Sequence, residues 1–361
     1  TTHQYLDDNP TTSLQDTYGI GITVTDDDGG SGTGSAAVLV NNQAPVITGF
    51  LVDDLNINEN DSITVTGSFT DVGTPDTHEV EILWGDGSSS LADVDVLTRT
   101  FTATHQFLDD GPSPGNGTAF DDMLIGVRIT DDDGGVAEDL AAAMVTLNNV
   151  DPQITELTNS SPDCDSAVEG EEVSLWGSFA DIGTLDLHTA TIDWGDGSSS
   201  AATINETGGS GTIGGSHDYT AGGIYTVTVN LNDDDSGSDT LTTTVIVTGI
   251  GLHEIDGQTV LQIIGTDQDD RVTINQQGNG VIKVHADFLP EQNGFRTFDA
   301  SDIDLLFIDL CEGDDDATVA GNINIPSIIN GGGGDDHLNG GAGSNVILGG
   351  AGDDMIIGGS G

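Results

Sequence analysis

Long stretches of the chain alternate apolar and polar residues at every second position. "YTVTVNLN" over 225–232 and "IGVRIT" over 125–130 show the alternation, built from Thr, Val and Ile. A period of two with β-branched residues predicts half-buried strands. No segment has the apolar spacing of a useful amphipathic helix, and no apolar run is long enough to cross a membrane. The 52 glycines and the scarcity of lysine also speak against a helical protein. The chain is therefore expected to be all-β.

The strand segments repeat. "HQYLDD…YGIGITVTDDDGG…VNNQAPVIT" in residues 1–48 returns as "HQFLDD…LIGVRITDDDGG…LNNVDPQIT" over 105–155, and in part from His217. "SFTDVGTPDTHEVEILWGDGSSS" over 68–90 returns as "SFADIGTLDLHTATIDWGDGSSS" over 178–200, with Trp84 and Trp194 110 residues apart. Short strands at that period predict tandem β-sandwiches. We read a C-terminal half-module at 1–48 and full modules at 49–154 and 155–249. Pro45 and Pro152 lie in the joints and suit short, stiff connections.

The W-G-D-G segments at Trp84–Gly87 and Trp194–Gly197, the His105/Phe107 and His217/Tyr219 pairs and the "GIYTVTVNLND" strand together resemble PKD domains. The extra aromatic before G-D-G of the best-known PKD signature is missing. The resemblance covers about two thirds of the chain and implies Ig-like sandwiches, usually extracellular, used as spacer, adhesion or matrix modules. Trp84 and Trp194 are expected as core anchors, and each Gly-Asp-Gly as a tight hairpin turn.

Acidic residues gather in the turns between strands. A D-x-G-T-x-D-x-H loop sets Asp71 with Asp76 and His78, and Asp181 with Asp186 and His188. Each module also carries a triplet after a strand: Asp26 to Asp28, Asp131 to Asp133, and Asp233 to Asp235. Alternate members of a triplet can face one way. Asp26 with Asp28, Asp131 with Asp133, and Asp233 with Asp235 are thus candidate calcium ligands, joined by Glu59 and Glu169 from a neighbouring loop. One or two calcium ions per module are expected near the joints. The histidines are expected to hydrogen-bond turns, since calcium prefers oxygen.

The last thirty-one residues have another period. GGGGDDHLN, GGAGSNVIL, GGAGDDMII and an unfinished GGSG form nonapeptides over 331–361. Each reads as a glycine-rich turn, where the chain visits positive φ, followed by a very short strand. Leu338, Ile347 and Ile356 are expected to point inward. Two nonapeptides make one coil, so Asp336 lies over Asp354, eighteen residues on. Bare carboxylates at the strand spacing of about 4.8 Å repel by roughly 3 kcal/mol in an effective dielectric near 20. A hard divalent cation held by carboxylates and turn carbonyls converts that repulsion into cohesion. Gly332, Gly334, Gly350 and Gly352 are candidate carbonyl donors beside Asp336 and Asp354. Asn345 breaks the acidic pattern and marks the opposite column as a weak site or none.

This segment resembles the RTX, or hemolysin-type, calcium-binding nonapeptide repeat, which implies a parallel β-roll or β-solenoid. Residues 250–330 read as its leading cap, with worn repeats at "IIGTDQDDRVTI" and "FDASDIDLLFIDLCEGDDDATV". Asp267, Asp269 and Asp315 are further ligand candidates there.

Charge sharpens the picture. Five Lys and Arg face 62 Asp and Glu, a formal net charge of −57. Nucleic acid and anionic membranes are excluded as partners, and counter-ion demand is heavy. Cys164 and Cys311 are read as free thiols in preference to a lone disulfide between domains. No H-E-x-x-H, G-x-S-x-G or phosphate-loop motif is present, so no catalytic role is expected. The reading is a calcium-binding structural or adhesive segment of a secreted or cell-surface protein. Its expected partners are calcium, cell-surface or matrix glycans, and copies of itself joined head to tail. The alternative is an accessory region of a large secreted hydrolase.

Overall fold

A computed structural model describes residues 2–8, 12–111, 115–289 and 294–359. Nearly every element is a β-strand, beside one 3-10 turn at Ala300–Asp302. The chain forms two compact units. The first holds 1–151 with the loop segments 181–187 and 234–237, and the second holds 152–180, 188–233 and 238–361.

The first unit opens with an antiparallel hairpin, Gln15–Thr25 against Ser31–Asn41. Two sheets follow. Strands Val46–Val52, Ser62–Thr70, Thr100–Gln106 and Asp93–Asp95 form one. Strands Asn56–Asn58, Val136–Asn148, Phe120–Asp131, His78–Leu83 and Ser89–Leu91 form the other. Both contribute to one core, because alternate residues turn to the same side. Ile63 and Val65 from the first sheet meet Val80, Ile82, Ile125 and Val127 from the second. Trp84 is fully buried in this cluster, and its indole N–H donates to Ser90 Oγ at 3.0 Å. The Gly-Asp-Gly turn is as expected: Gly85 and Gly87 adopt φ near +87° and +89°, and Asp86 accepts the Ser88 N–H at 2.8 Å.

The second unit begins with an equivalent sandwich. Its sheets are Gln153–Asn159, Glu172–Ala180, Ser210–Asp218, Thr203–Glu206, and Ser199–Ala201, Thr189–Asp193, Gly223–Asn232, Ser238–Val247. Trp194 fills its core beside Tyr219 and Tyr225. A hairpin of Gly249–Ile255 and Gln258–Ile264 then leads into parallel pairing. Gln258–Ile264, Leu305–Asp309, Ser327–Gly333 and Asn345–Ala351 stack in one sheet. Arg271–Gln276, Asp316–Val319, His337–Asn339 and Met355–Ile357 stack in the other. The last registers pair Ser327 with Asn345 and His337 with Met355, so the final coil is eighteen residues, whereas the coil before it, pairing Leu306 with Ser327 and Asp316 with His337, is longer. The long strands before the repeats supply most of the apolar core. Leu338 is fully buried and Ile347 packs against this core, whereas Ile356, on the last strand, stays 47 % exposed.

Cys164 and Cys311 form a disulfide, with Cα atoms 6.2 Å apart. The expectation of free thiols is thereby corrected. The two lie 147 residues apart in sequence, and only the packing of the sandwich against the first coil brings them together. Closing so long a loop restricts the unfolded chain, so Cys164→Ser is expected to cost about 3 kcal/mol. Urea unfolding of the second unit, followed by tryptophan fluorescence, checks this. An unchanged midpoint would show that the bond adds no stability.

Candidate metal centres

In the coil, the acidic positions form two ladders. Asp270, Asp315, Asp336 and Asp354 stand in the inner one. Asp315 Oδ1 accepts the Asp270 N–H at 2.7 Å, Asp336 Oδ1 that of Asp315 at 2.9 Å, and Asp354 Oδ1 that of Asp336 at 3.1 Å. Asp269, Asp314, Asp335 and Asp353 form the outer ladder with the direction reversed: Asp269 Oδ1 accepts the Asp314 N–H, Asp314 Oδ1 that of Asp335, and Asp335 Oδ1 that of Asp353. Asp315 and Asp336 are each 2 % exposed. Their second oxygens, Oδ2, are buried without a hydrogen-bond partner. Burial pushes the Asp315 carboxyl up to about 7, and neighbouring Asp270 and Asp336 add to the rise. Asp336 is raised for the same reasons, with Asp354 beside it. Buried carboxylate oxygens suit a hard divalent cation, which neighbouring members of the ladder, Asp315 with Asp336 or Asp336 with Asp354, would hold; among the described residues, no three acidic side chains of the coil converge within 4.8 Å.

The turns keep the geometry the glycines allow. Gly332, Gly334, Gly350 and Gly352 adopt φ of +103°, +120°, +109° and +142°. Asn345 Oδ1 accepts from Ser327 Oγ at 2.8 Å and its Nδ2 donates to Gly341 O at 2.9 Å. An amide N–H thus satisfies a turn carbonyl on that column, which leaves little for a cation to do there.

The first unit gathers carboxylates too. Five groups of three place one ligand atom from each residue within 4.8 Å of one another. They are Asp7, Asp8 and Asp133; Asp71, Asp76 and Asp131; Asp76, Asp132 and Asp133; Glu59, Asp181 and Asp186; and Asp109, Asp186 and Asp235. Two oxygens that share one calcium at about 2.4 Å lie no more than about 4.8 Å apart, so the spacing fits. Burial raises Glu59 to about 8, with Asp186 and Asp181 adding to it. Asp76 and Asp133 are each raised to about 6, again by burial and then by neighbouring carboxylates.

Several candidates fall elsewhere. Among the described residues, Asp26, Asp28 and Asp233 belong to none of these groups; Asp26 instead accepts the Gly30 N–H at 2.6 Å and closes its own turn. Glu169 is a correction. Arg296 grips both its oxygens, from Nη1 at 2.6 Å and from Nη2, so a guanidinium supplies the charge assigned to calcium. His78 binds Asp71 at 2.8 Å within its loop, whereas His188 binds Glu206, at the end of the strand Thr203–Glu206, at 2.7 Å. Asp7, Asp8, Asp109 and Asp132 were missed as ligand candidates. For Asp7, Asp8 and Asp109 the repeat shows only a shared LDD that ends HQYLDD and HQFLDD, and Asp132 is the middle member of a triplet whose alternate members are the candidates.

These shifts set the pH response of the metal-free chain. A carboxyl whose folded pKa lies above its unfolded value near 4 favours the folded state at low pH. That contribution is complete below about pH 4. It is lost as pH rises through about 6 for Asp76 and Asp133 and about 8 for Glu59. In EDTA the first unit is therefore expected to melt at a lower temperature at pH 8 than at pH 5. Scanning calorimetry would show it, and a melting point that climbs over that range would contradict it.

Residues 149–248 match the PKD domain family, and residues 330–361 match the RTX calcium-binding nonapeptide repeat in four copies. The chain thus carries a PKD domain followed by an RTX calcium-binding repeat region. No curated protein matches the chain. Among solved structures, the PKD1 domain of Vibrio anguillarum Epp is 25% identical, with 28% of this chain and 99% of that one covered and a TM-score of 0.20. A tetra-tandem repeat from the extending region of a large adhesion protein is 13% identical, covering 79% and 73% at a TM-score of 0.42. The Yersinia pseudotuberculosis adhesin InvE is 14% identical, covering 67% of each chain at 0.30.

Proposed function

We propose that this chain is a calcium-stiffened, non-catalytic structural and adhesive segment of a secreted or cell-surface protein. The carrying observation is the inner ladder, in which Asp315 and Asp336 each bury an oxygen that has no hydrogen-bond partner. Only five basic residues stand against 62 acidic ones, so the chain cannot neutralise these groups itself. Calcium, abundant outside cells, then folds the coil on export and locks the sandwich loops. The PKD and RTX matches support an extracellular setting.

Head-to-tail self-association belongs to the same reading. Ile22 and Val24 on the first hairpin, and Met355 and Ile356 on the last strand, are exposed apolar side chains. Sedimentation with and without calcium tests it: monomers under both conditions would remove it. Metal analysis tests the main reading. Calcium should co-purify with the chain, and Asp336→Asn should lower its amount. A chain that retains no calcium would end the proposal.

A further inference from the structure

The acidic groups of the first unit share members in a repeated way. Asp186 belongs to two groups, one with Glu59 and Asp181 and one with Asp109 and Asp235. Asp76, its equivalent in the D-x-G-T-x-D loop, also belongs to two, one with Asp71 and Asp131 and one with Asp132 and Asp133. Asp133 carries the second group on to Asp7 and Asp8. By repeat position, Asp71 matches Asp181, Asp133 matches Asp235, and Asp7 matches Asp109. A similar constellation is therefore built twice around an equivalent central carboxylate, with Asp131 completing the Asp71–Asp76 group where Glu59 completes the Asp181–Asp186 group, and Asp132 taking part only in the first.

We infer that each constellation is a two-cation site for calcium-class ions, in which one carboxylate, Asp186 or Asp76, bridges the pair. The inference rests on the calcium reading above and adds where these ions sit and how they are coupled.

Buried oxygens aimed into the sites carry the argument. Glu59 is 1 % exposed; its Oε1 accepts the Val150 N–H at 2.7 Å, while its Oε2 is buried without a hydrogen-bond partner. Asp109, 7 % exposed, likewise keeps Oδ2 without one, in the other group that contains Asp186. In the first constellation, Asp8, 3 % exposed, has such an Oδ2. Each of the two groups that share Asp186 thus has its own unmatched buried oxygen, which a single ion leaves half unexplained. The backbone supports the same geometry twice. Asp132 Oδ1 accepts the Thr77 N–H at 2.8 Å, and Asp234 Oδ1 accepts the Leu187 N–H at 2.8 Å. These bonds hold triplet and loop together just after Asp76 and Asp186.

The third repeat provides the contrast. Glu169 holds the position of Glu59, and the chain answers it with Arg296. There the LDD is replaced by Thr220, Ala221 and Gly222 after His217-Asp218-Tyr219. Where a basic residue meets the glutamate, the acidic partners vanish; where they persist, among the described residues the salt bridges to Lys or Arg include none to Glu59, Asp109 or Asp8.

Equilibrium dialysis of the full chain against calcium, with bound metal counted, tests the bridge. Glu59→Gln and Asp109→Asn each alter one of the two groups that share Asp186, so each should remove one ion. Asp186→Asn should remove two. Near-ultraviolet circular dichroism of the buried tryptophans reports whether each variant keeps its fold, and Asp76→Asn repeats the test on the first constellation. A loss in Asp186→Asn no larger than in Glu59→Gln overturns the pair. If Asp336→Asn loses calcium while Asp186→Asn and Asp76→Asn lose none, the sites fail and the coil reading stands. If the wild-type chain binds none, the calcium reading itself has failed.

Discussion

In EDTA, residues 327–359 are expected to lose their parallel strands while the sandwich cores persist. The difference lies in what holds each part. The sandwiches bury Trp84, Trp194 and a full set of Val, Ile and Leu side chains. The coil's last turns bury few, chiefly Ile329 and Leu338. Against that stand four stacked inner carboxylates. At a strand spacing of about 4.8 Å, each adjacent ionised pair repels by roughly 3 kcal/mol in an effective dielectric near 20. Ladder hydrogen bonds from the backbone N–H groups offset part of this, at about 1.5–3 kcal/mol for each bond to a charged acceptor. Protonation is the other escape: burial first, with neighbouring Asp270 and Asp336 adding to it, drives Asp315 up to about 7. A divalent cation removes the repulsion and adds its own bonds, so binding and folding of the coil are one event. Hydrogen exchange at Ser327–Gly333 and Asn345–Ala351 should rise by orders of magnitude on chelation. Unchanged protection would mean that the apolar stack suffices, and the ladder would need another explanation.

Gly332→Ala is expected to prevent the last coils from forming even in saturating calcium. Gly332 adopts φ of +103°, which costs a residue with a Cβ. A Cβ there would also collide with the carbonyl oxygen of Cys311. That oxygen cannot swing away cheaply, because it accepts the Gly333 N–H at 2.9 Å and its residue is tied to Cys164. Strain of about 1–2 kcal/mol and a backbone clash together exceed what the few buried residues of these turns supply. Gly321→Ala is the control: no atom lies within 4 Å of its added Cβ and its φ is not positive. Strand content by circular dichroism in calcium should fall for Gly332→Ala and stay unchanged for Gly321→Ala. Equal behaviour of the two would show that the turn tolerates a side chain.

Much of this molecule is legible in local patterns. Alternation at period two set the strands, because a strand's side chains take opposite faces whatever lies beyond. The repeat placed Trp84 and Trp194 in equivalent cores. The nine-residue glycine period determined that Asp336 stacks on Asp354, because a coil of fixed length permits no other register. Three things needed the tertiary structure, and each joins residues far apart in the chain. Cys164 meets Cys311 across 147 residues. Arg296 reaches Glu169, so a guanidinium stands where an ion was expected. Asp7, Asp8 and Asp109 turn out to face loops from other parts of the repeat, although nothing in their own LDD segment distinguishes a ligand from a solvated turn. Spacing along the chain reports the period of an element. Which distant carboxylates share one buried space depends on how loops from separate strands converge, and only the folded chain decides that.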